Sequence, residues 1–305
     1  MAIDIWVPPV ATPENLALLP PGINVHKVPD ETPLEPLGRG EFLVAGYNAR
    51  LMREAIQRLD DLHVVQTLSA GVDWLVDHVP PGVTLCDAAG VHDVPVSEWT
   101  MMAILAMQRE LPLQLAWQQT ASWHRPAPET DDLEGSTVLI LGYGSIGRAV
   151  EARLAPFGVN VVRVARTARD GVHALADLPA LLPAANIVVV LLPLTSETRR
   201  LVDSGFLASM PDGALLVNAA RGSIVDTQAL LAEVQRGRLR AALDVTDPEP
   251  LPDGHPLWSA PGVLITPHDA GSSKRFASRA WRFVAEQVAR YQRGEPLRNV
   301  VANGY

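Results

Sequence analysis

Residues 137–147 read Thr-Val-Leu-Ile-Leu-Gly-Tyr-Gly-Ser-Ile-Gly, so an apolar run leads directly into a G-x-G-x-x-G pattern. We predict a buried strand over Thr137–Leu141, and the run Arg148–Phe157 behind the glycines has helical character. The glycine pattern is weak evidence by itself, but between a strand and a helix it is typical of a dinucleotide-binding turn. The stretch therefore predicts an α/β fold with a parallel sheet.

Each glycine of the turn has a physical role in that interpretation. Gly142 allows the tight turn, Gly144 lets the backbone approach a pyrophosphate, and Gly147 allows the helix to contact the strand. The helix N-terminus supplies backbone amides and a partial positive charge to the same anion. Ser145 and Ile146, within the glycine pattern, are also candidate cofactor contacts. A glycine-rich turn that binds no ligand is the alternative.

Outward from this turn, short apolar runs alternate with helical stretches, which is typical of parallel α/β sheets. The downstream strands are predicted over Val159–Val164, Ile187–Leu192, Ala214–Asn218, Ala241–Asp244 and Val263–Thr266. The upstream strands are predicted over Ile3–Val7, Phe42–Ala45, Leu62–Leu68 and Val83–Asp87. The helices are predicted after Thr12 as N-cap with Pro13 at the first position, over Ala49–Leu59, over Val96–Gln119, and over Ser273–Arg293 with Gly294 as C-cap. A Pro-rich, polar loop is predicted over Trp123–Asp132.

Composition limits the class of protein. A chain of 305 residues corresponds to about two domains of ordinary size. Its 25 Lys and Arg against 34 Asp and Glu give a net charge of −9, so we expect neither nucleic acid nor an anionic membrane as partner. The single cysteine, Cys86, excludes an intrachain disulfide and a cysteine-rich metal cluster. With no signal-peptide pattern and no apolar run of membrane-spanning length, we expect a cytoplasmic protein with no metal.

The end of the strand that follows the glycine turn predicts which dinucleotide binds. NAD-selective proteins place Asp or Glu there to accept from the ribose 2′-hydroxyl, whereas this strand runs into Ala165-Arg-Thr-Ala-Arg169. Arg166 and Thr167, with Arg169 nearby, can bind a 2′-phosphate that a carboxylate would repel. We therefore expect a preference for NADP(H), with NAD(H) possible. A solvated basic turn is the alternative.

Three polar residues, Arg221, Glu249 and His268, each follow the end of an apolar strand. The stretches that contain them are Leu215-Leu-Val-Asn-Ala-Ala-Arg-Gly-Ser-Ile-Val-Asp226, Ala242-Leu-Asp-Val-Thr-Asp-Pro-Glu-Pro-Leu-Pro252 and Leu264-Ile-Thr-Pro-His-Asp-Ala-Gly271. Ligands of open α/β sheets bind at the carboxyl ends of the strands, so we expect the three side chains to converge on one crevice. Taken singly, each has a plainer interpretation, as an ion-pair arginine, a solvated turn glutamate and a loop histidine.

These stretches together resemble the NAD(P)-dependent D-isomer-specific 2-hydroxyacid dehydrogenases. The resemblance runs from about Ser69 to the C-terminus. It is also carried by Ser69-Ala-Gly-Val-Asp73, Val96-Ser-Glu98, Leu192-Pro-Leu-Thr-Ser-Glu-Thr198 and Pro296-Leu-Arg-Asn-Val300. It implies two Rossmann/flavodoxin-like domains with parallel sheets flanking a cleft. The expected division is a discontinuous substrate (catalytic) domain, 1–99 plus 271–305, and a dinucleotide-binding domain, 100–270.

The resemblance assigns catalysis to Arg221, Glu249 and His268. Reduction of a 2-oxo acid needs a hydride at the carbonyl carbon, a proton at its oxygen and positive potential there. His268 is suited to give the proton, Glu249 to orient it and favour the imidazolium, and Arg221 to hold the substrate carboxylate. The chemistry therefore agrees with the roles that the resemblance implies.

The resemblance implies further contacts in both domains. The substrate carboxylate would be bound by the amides of Ala70 and Gly71. The cofactor contacts would be Pro193 and Thr198 near the adenosine and pyrophosphate, Ala219 near the nicotinamide ribose, Asp244 at the carboxamide and Gly271 near the nicotinamide. As alternatives, Asp244 caps local amides and Gly271 is a plain hinge. A homodimer formed through the cofactor domain, near Trp117–Trp123, is also implied.

The chain departs from the family pattern at several positions. Trp99 stands where many relatives carry His, and His92 stands where Asn is common. We expect the change at Trp99 to alter packing without loss of activity. The first 65 or so residues match least, and they contribute a wall of the substrate pocket. Trp6, Tyr47 and Asn48 are candidates for that wall, with ordinary packing as the alternative.

Reduction of glyoxylate or hydroxypyruvate is the expectation for the substrate, because many NADPH-preferring relatives reduce these acids. A phosphite or formate dehydrogenase of the same superfamily is an alternative. Formate dehydrogenases pair Gln with the catalytic His, so Glu249 counts against formate. A non-catalytic NAD(P)H-sensing binding protein, as among the related transcriptional corepressors, is the alternative from a different class.

Overall fold

The computed structural model describes residues 2–125 and 129–301, and the chain divides into two compact units. The first unit comprises 1–92 with 273–305, and the second comprises 93–272. The second unit starts at Asp93 because the helix that begins there belongs wholly to it. Residues 126–128 of the predicted loop and 302–305 of the predicted C-terminal segment lie outside the described residues.

The regular elements follow the predicted alternation of strands and helices. The strands are β1 Ile3–Val7, β2 Ile23–Lys27, β3 Gly38–Arg39, β4 Phe42–Ala45, β5 Leu59–Asp60, β6 Val64–Thr67, β7 Thr84–Cys86, β8 Thr137–Leu141, β9 Asn160–Ala165, β10 His173–Ala174, β11 Ile187–Val190, β12 Leu215–Asn218, β13 Arg240–Leu243 and β14 Val263–Ile265. The helices are α1 Pro13–Leu16, α2 Ala49–Arg58, α3 Asp93–Gln108, α4 Leu111–Gln119, α5 Ser145–Leu154, α6 Leu178–Leu181, α7 Ser204–Ser209, α8 Thr227–Gln235 and α9 Phe276–Gln292.

The first unit is a parallel sheet in the order β2-β1-β4-β6-β7, the strand order of flavodoxin-like folds. The register pairs Ile5 with Phe42, and Phe42 with Val64. Successive residues of a strand face opposite sides, so each strand contributes to two apolar layers. Ile5 and Phe42 pack in one layer with Trp281 and Val284 of α9, while the opposite layer contains residues of α2. Both faces of the sheet are thus covered by helices.

The second unit is a parallel sheet in the order β10-β9-β8-β11-β12-β13-β14, the doubly wound order of dinucleotide-binding folds. Successive residues of each strand again face opposite sides of the sheet, so the unit has an apolar core on each side. Val138 and Ile140 pack with α3 and α5, whereas Leu139 and Leu141 pack with the layer formed by α6, α7 and α8. Connections lead away on opposite sides of the sheet between β8 and β11, and this is where such folds bind ligands. The predicted fold class, α/β with two parallel sheets, is confirmed.

Three sequence-based predictions about elements need correction. The helix predicted over Val96–Gln119 is two helices, α3 and α4, because Glu110 adopts φ +50° and Pro112 lacks the amide that a continuous helix requires. The helix after the glycine turn begins at Ser145 and not at Arg148. Strand β2 was not predicted, because it lies at the sheet edge and its sequence, Ile-Asn-Val-His-Lys, is largely polar and exposed.

Candidate active site

The glycine turn lies between β8 and α5, at the point where the strand order reverses. Gly142 has φ +111°, and a methyl group on its α-carbon would lie 2.5 Å from the carbonyl carbon of Leu191. A methyl group on Gly147 would lie 2.8 Å from the carbonyl oxygen of Gly142. At Gly144 an added methyl group would meet no described atom within 4 Å. The protein itself requires glycine at 142 and 147, whereas at 144 the glycine leaves open space for a ligand.

The N-terminus of α5 faces this space with the chemistry of an anion site. Gly144 is the N-cap, so Ser145 and Ile146 lie in the first turn, whose amides have no partner within the helix. The helix dipole adds a partial positive charge at the same end. These groups fit the pyrophosphate of a dinucleotide, which is the moiety predicted from the sequence.

The segment after β9 carries exposed cations beside the glycine turn. Arg166, Thr167 and Arg169 are exposed, and an Arg169 Nη2 donates to the carbonyl of Tyr143, inside the turn, at 2.6 Å. The guanidinium of Arg169 also lies 5.9 Å from the centre of the Tyr143 ring. Arg163 lies 5.7 Å from that ring and pairs with Glu151, so the nearby carboxylate is already neutralised. The structure therefore fixes at least one cation of the predicted set against the turn.

Hydrogen bonds of the Thr198 hydroxyl hold the loop after β11. Thr198 is buried, donates to the carbonyl of Pro193 at 2.7 Å and accepts from the amide of Thr195 at 2.8 Å. Pro193 itself is exposed. The hydroxyl of Thr198 thus shapes the loop, and a cofactor contact of this loop would come from its exposed side.

Arg221 is positioned by the buried side chain of Asn218, the last residue of β12. Asn218 Oδ1 accepts from the amide of Ala220 at 3.1 Å, and its Nδ2 donates to the carbonyl of Arg221 at 3.0 Å. Ala219 lies within this turn, between the two bonds. The half-buried Arg221 side chain leaves the carboxyl end of the sheet with an Nη1 donating to the carbonyl of Ala220 at 2.8 Å.

Gly222 joins the turn of Arg221 to the segment that leads to Glu249. A methyl group on Gly222 would lie 1.9 Å from the carbonyl oxygen of Thr246, so no side chain fits there. Thr227 adds a hydrogen bond of 2.6 Å from its hydroxyl to the carbonyl of Asp247. The turn after β12 and the turn after β13 are therefore packed backbone to backbone.

His268 and Glu249 form the central pair of the site. His268 Nδ1 lies 2.5 Å from Glu249 Oε1, and the side chains are 47% and 41% exposed. An ionised carboxylate only accepts hydrogen bonds, so this contact places a hydrogen on Nδ1 and leaves Nε2 as the nitrogen available to other groups. Two side chains predicted from separate stretches of the sequence thus meet at the carboxyl end of the sheet.

Asp244, at the end of β13, holds the loop that carries His268. Its carboxylate accepts from the amides of Asp269 at 2.9 Å and Ala270 at 3.0 Å, and its carbonyl accepts from the amide of His268 at 2.7 Å. Burial raises the pKa of Asp244, and its hydrogen bonds, of which that from Thr266 is the largest, act in the opposite direction. The capping of local amides, one of two interpretations of Asp244, is present in the structure. Gly271 follows directly on the capped segment.

The predicted carboxylate-binding loop, with Ala70 and Gly71, lies in the first unit after β6. Ser69 Oγ donates to the carbonyl of Gly71 at 2.8 Å, and the indole of Trp74 donates to the same carbonyl at 3.1 Å. These bonds fix the loop and leave its backbone partly exposed.

Aromatic rings lie beside that loop, within the first unit. His92 Nε2 and the hydroxyl of Tyr47 both contact the carbonyl of Leu68, at 3.2 and 3.3 Å. Both rings also contact Phe276. Asn48 caps α2 by accepting from the amide of Leu51, and Trp6 is buried with its indole donating to the carbonyl of Arg39. Of the three wall candidates, Trp6 is buried, whereas Tyr47 and Asn48 are exposed.

Sequence reasoning missed the residues that hold the site together. Asn218, Gly222 and Thr266 were not identified as functional, although Asn at a strand end is a local signal for a side-chain turn. Thr266 and Trp99 give no such signal, because their contact joins positions far apart in the chain. Trp99 is buried as expected for a packing residue, and it also donates its indole hydrogen to Thr266.

The described residues contain neither a cluster of metal ligands nor a membrane-spanning helix. No three His, Cys, Asp or Glu side chains in residues 2–125 and 129–301 gather as metal ligands. In the same part of the chain, no helix has both the length and the apolar character to cross a membrane.

Comparisons with known proteins point to one family. Residues 101–270 match the family model described as "D-isomer specific 2-hydroxyacid dehydrogenase, NAD binding domain". The chain is 31% identical over 279 residues to the D-3-phosphoglycerate dehydrogenase of Methanocaldococcus jannaschii. That match includes 88% of this chain and 53% of the relative, so the chain spans about half the length of that curated relative.

Solved structures match over the full chain. A D-isomer specific 2-hydroxyacid dehydrogenase from Xanthobacter autotrophicus Py2, in complex with NADPH and MES, is 30% identical with a TM-score of 0.84, covering 100% of this chain and 99% of that one. The NADPH-dependent glyoxylate/hydroxypyruvate reductase from Sinorhizobium meliloti, in complex with NADP and sulfate, is 29% identical with a TM-score of 0.86, covering 99% and 100%.

Proposed function

This chain belongs to the D-isomer-specific 2-hydroxyacid dehydrogenases, a family of NAD(P)-dependent oxidoreductases, and from that premise we propose its reaction. It interconverts a small 2-oxo acid and its D-2-hydroxy acid with NADP(H) as the preferred cofactor. The second unit holds the dinucleotide and the first contributes the substrate loop. The match of residues 101–270 to an NAD-binding domain supports the assignment of the second unit.

The contact between His268 and Glu249 is the observation that carries the proposal. A carboxylate on Nδ1 orients the imidazole and favours its imidazolium form, in which Nε2 carries the proton that reduction of a carbonyl requires. A positioned general acid contributes roughly 10²- to 10⁴-fold in rate. A purely sensory binding protein has no need of a proton donor, so the pair favours an enzyme over the non-catalytic alternative.

Each residue then has one task in the reaction. The cofactor supplies a hydride to the carbonyl carbon when it is bound. His268 gives a proton to the carbonyl oxygen, and Glu249 keeps the imidazole oriented and stabilises its charged form. Arg221 holds the substrate carboxylate with two parallel donors and brings positive potential to the oxygen as charge develops there. Ala70 and Gly71 are the residues of the first unit that we propose to bind the substrate carboxylate, through their backbone amides.

The cations after β9 support the preference for NADP(H). Arg169 is held against the carbonyl of Tyr143, and Arg166 and Thr167 are exposed beside it. Phosphate recognition favours such charge-assisted donors, and no carboxylate stands at the end of β9 to repel the 2′-phosphate. The bound NADPH and NADP of the two solved relatives are consistent with this preference.

Glyoxylate or hydroxypyruvate is the proposed substrate. The S. meliloti relative carries this activity in its name, and the match covers 99% of the present chain. The exposed ring of Tyr47 beside the Ala70–Gly71 loop would limit the size of the acid that binds there.

A substrate panel tests the reaction. Purified protein is mixed with NADPH and glyoxylate, hydroxypyruvate, pyruvate, 3-phosphohydroxypyruvate or phenylpyruvate, and loss of absorbance is followed. In the oxidative direction, NADP⁺ or NAD⁺ is supplied with formate or phosphite. Turnover that is fastest with glyoxylate or hydroxypyruvate supports the proposal. Binding of NADPH without turnover of any acid would instead favour the sensor, and oxidation of phosphite would favour the superfamily alternative.

Cofactor preference has a separate test. We expect kcat/KM to be higher with NADPH than with NADH, and Arg166→Ala and Arg169→Ala to lower it for NADPH only. Loss of a charge-assisted hydrogen bond should lower kcat/KM with NADPH by about 10- to 100-fold. Arg236→Ala, on the far side of α8, is the control for loss of one positive charge. Equal or better use of NADH by the wild type would contradict the preference.

We also propose a homodimer formed through the second unit. Leu111, Leu113 and Leu115 of α4 are exposed, and Trp123, four residues beyond the end of that helix, is 85% exposed. Neighbouring exposed apolar side chains mark protein interfaces. Light scattering should give the mass of a dimer, and Trp123→Ser should weaken it. A monomer at micromolar wild-type concentration would contradict this proposal.

A further inference from the structure

We propose that Trp99 is a positioning residue for His268, acting through a relay of hydrogen bonds across Thr266 and Asp244. The inference rests on the proposed function, because positioning matters for catalysis only if His268 is the proton donor. The relay joins α3, in which Trp99 lies, to the loop behind β14 that carries His268. No local sequence pattern connects these elements.

The geometry of the relay is continuous. Trp99 Nε1 lies 3.0 Å from Thr266 Oγ1, and Thr266 Oγ1 lies 2.6 Å from Asp244 Oδ1. Trp99 and Asp244 are both buried, at 8% and 3% exposure, so water does not compete freely for these bonds. Buried polar groups depend on such partners, since leaving one unsatisfied costs the free energy of its desolvation.

The chemistry of the three groups fixes the direction of donation. An indole only donates and an ionised carboxylate only accepts, whereas a hydroxyl has one hydrogen and two lone pairs. Trp99 therefore donates to Thr266, and Thr266 must give its single hydrogen to Asp244. The indole occupies a lone pair of the hydroxyl and thereby holds it in the rotamer that points at Oδ1. Without Trp99 the hydroxyl would have a buried lone pair with no donor from this helix.

Asp244, which Thr266 orients, hydrogen bonds to the backbone on both sides of the proposed proton donor, His268. Its two carboxylate oxygens accept from the amides of Asp269 and Ala270, and its carbonyl accepts from the amide of His268. His268 has φ +54°, a left-handed conformation that is unfavourable for a non-glycine residue. Such a conformation persists only where surrounding contacts impose it. The carboxylate that Thr266 orients supplies two of those contacts.

The pKa of Asp244 gives independent support. Burial raises that pKa, and the hydrogen bond from Thr266 is the largest influence in the opposite direction. Removing the hydroxyl would thus favour the protonated form of Asp244, which accepts less well from the two loop amides. The role of Thr266 is therefore to keep Asp244 as a carboxylate as well as to orient it.

Four variants test the relay in the full-length protein: Trp99→Phe, Thr266→Val, Thr266→Ser and the double variant Trp99→Phe/Thr266→Val. Two quantities are measured for each. The first is amide hydrogen exchange of residues 268–270, which needs no substrate. The second is the pair kcat and KM, with NADPH and the best 2-oxo acid. Trp281→Phe removes an equally buried indole from the first unit and is the matched control.

Loss of one hydrogen bond of this kind changes a rate or equilibrium constant that depends on it by about 2- to 10-fold. We expect Trp99→Phe and Thr266→Val to speed exchange at 268–270 by that factor and to lower kcat similarly, with a smaller change in KM. Thr266→Ser should restore both quantities toward the wild type, because it keeps the hydroxyl. The double variant should match Thr266→Val alone, since that change already breaks both links. Trp281→Phe should change neither quantity.

The outcomes separate this inference from the proposed function. Wild-type exchange in Thr266→Val, additive effects in the double variant, or failure of Thr266→Ser to rescue would each overturn the relay. Faster exchange with unchanged kcat would show that the loop is held but that holding it does not serve catalysis, which also overturns the inference. If no 2-oxo acid is turned over by the wild type, the proposed function fails, and exchange alone still decides whether the relay holds the loop.

Discussion

At the scale of single residues, Glu249 decides which nitrogen of His268 is available for chemistry. The contact of 2.5 Å lies on Nδ1, and a carboxylate there can only accept. Gln at position 249 would keep the size of the side chain but could donate as well as accept, so the tautomer would no longer be fixed. We therefore expect Glu249→Gln to lower kcat/KM by about 10- to 100-fold and His268→Gln by about 10²- to 10⁴-fold.

Stability should respond differently from activity in these variants. The pair is nearly half exposed, and exposed ion pairs contribute about 0–1 kcal/mol. The urea midpoint of Glu249→Gln should therefore stay close to that of the wild type. Glu295→Gln, which removes an exposed carboxylate paired with Arg293, controls for the charge change and should leave kcat/KM unaltered. Full activity in Glu249→Gln would contradict the assigned role.

Asp87 directly follows β7 in the chain, and its carboxyl group should make the stability of the protein depend on pH. Burial raises the pKa of Asp87 above its ordinary value of 3.8, although the amide of Ala89 donates to its Oδ1 at 2.7 Å. A raised folded-state pKa means that this carboxyl contributes stability below the unfolded pKa, and the contribution is lost as pH rises through the folded pKa. Asn at this position stays neutral throughout, so Asp87→Asn should gain stability relative to the wild type as pH rises.

Urea unfolding of both proteins at about pH 4 and about pH 7 measures this difference. Asp30→Asn, at an exposed position of the same unit, controls for loss of one negative charge. If Asp87→Asn instead becomes less stable relative to the wild type between the lower and the higher pH, the assignment of a raised pKa to Asp87 is wrong.

The positions of the proposed catalytic residues at strand ends could be predicted from sequence, and the residues that support them could not, for one physical reason. Arg221, Glu249 and His268 each follow an apolar strand, and the ends of parallel strands meet at one edge of a sheet. The contact of Trp99 with Thr266 depends instead on how a helix packs over that sheet. Periodicity indicates that Trp99 is buried, but not which polar atom its indole reaches.

At the scale of elements, the turn between β8 and α5 contains two glycines that the fold requires, Gly142 and Gly147, and a third, Gly144, that we assign to ligand binding. Gly142 has a positive φ and the backbone of Leu191 within 2.5 Å of an added methyl group, whereas the space at Gly144 is open. We expect Gly142→Ala to lower both the free energy of unfolding and the affinity for NADPH. Gly144→Ala should change the free energy of unfolding by about 1 kcal/mol or less and still weaken NADPH binding.

Thermal unfolding and fluorescence titration with NADPH distinguish the two variants. Gly213→Ala has a positive φ and no described atom within 4 Å of an added methyl group, so it serves as a control for backbone strain away from the turn. Unweakened NADPH binding by Gly144→Ala would mean that the open space is not where the pyrophosphate lies.

Element boundaries were predicted well where apolar periodicity was strong and poorly where it was not. Strands β1, β4 and β8 have the predicted bounds because their residues are buried on both faces of a parallel sheet. The α3–α4 break was missed because apolar residues resume at Leu111 after the polar residues 108–110. Pro112, two residues after the left-handed Glu110, was a local signal against one continuous helix.

At the scale of the whole molecule, each unit builds its cores from its own residues, but only one unit is continuous in the chain. The two apolar clusters of the second unit contain residues between Val96 and Ala270. A core of the first unit combines β1, β4 and β6 with Trp281, Phe283, Val284 and Val288 of α9. The buried side chains of Gln66 and Gln287 also hydrogen bond at 2.8 Å, linking β6 to α9. The first unit thus depends on a segment that follows the whole of the second unit in the chain.

This asymmetry predicts the behaviour of fragments. A fragment of residues 93–272 contains a complete sheet and both of its cores, so it should unfold cooperatively and bind NADPH. A fragment of residues 1–92 lacks α9 and exposes the apolar face that α9 covers, so it should not fold alone. Joining residues 273–305 to residue 92 through a short Gly/Ser linker should restore folding. Circular dichroism and urea unfolding of the three fragments measure this, and a cooperatively folded 1–92 fragment would show that α9 is dispensable for the core it completes.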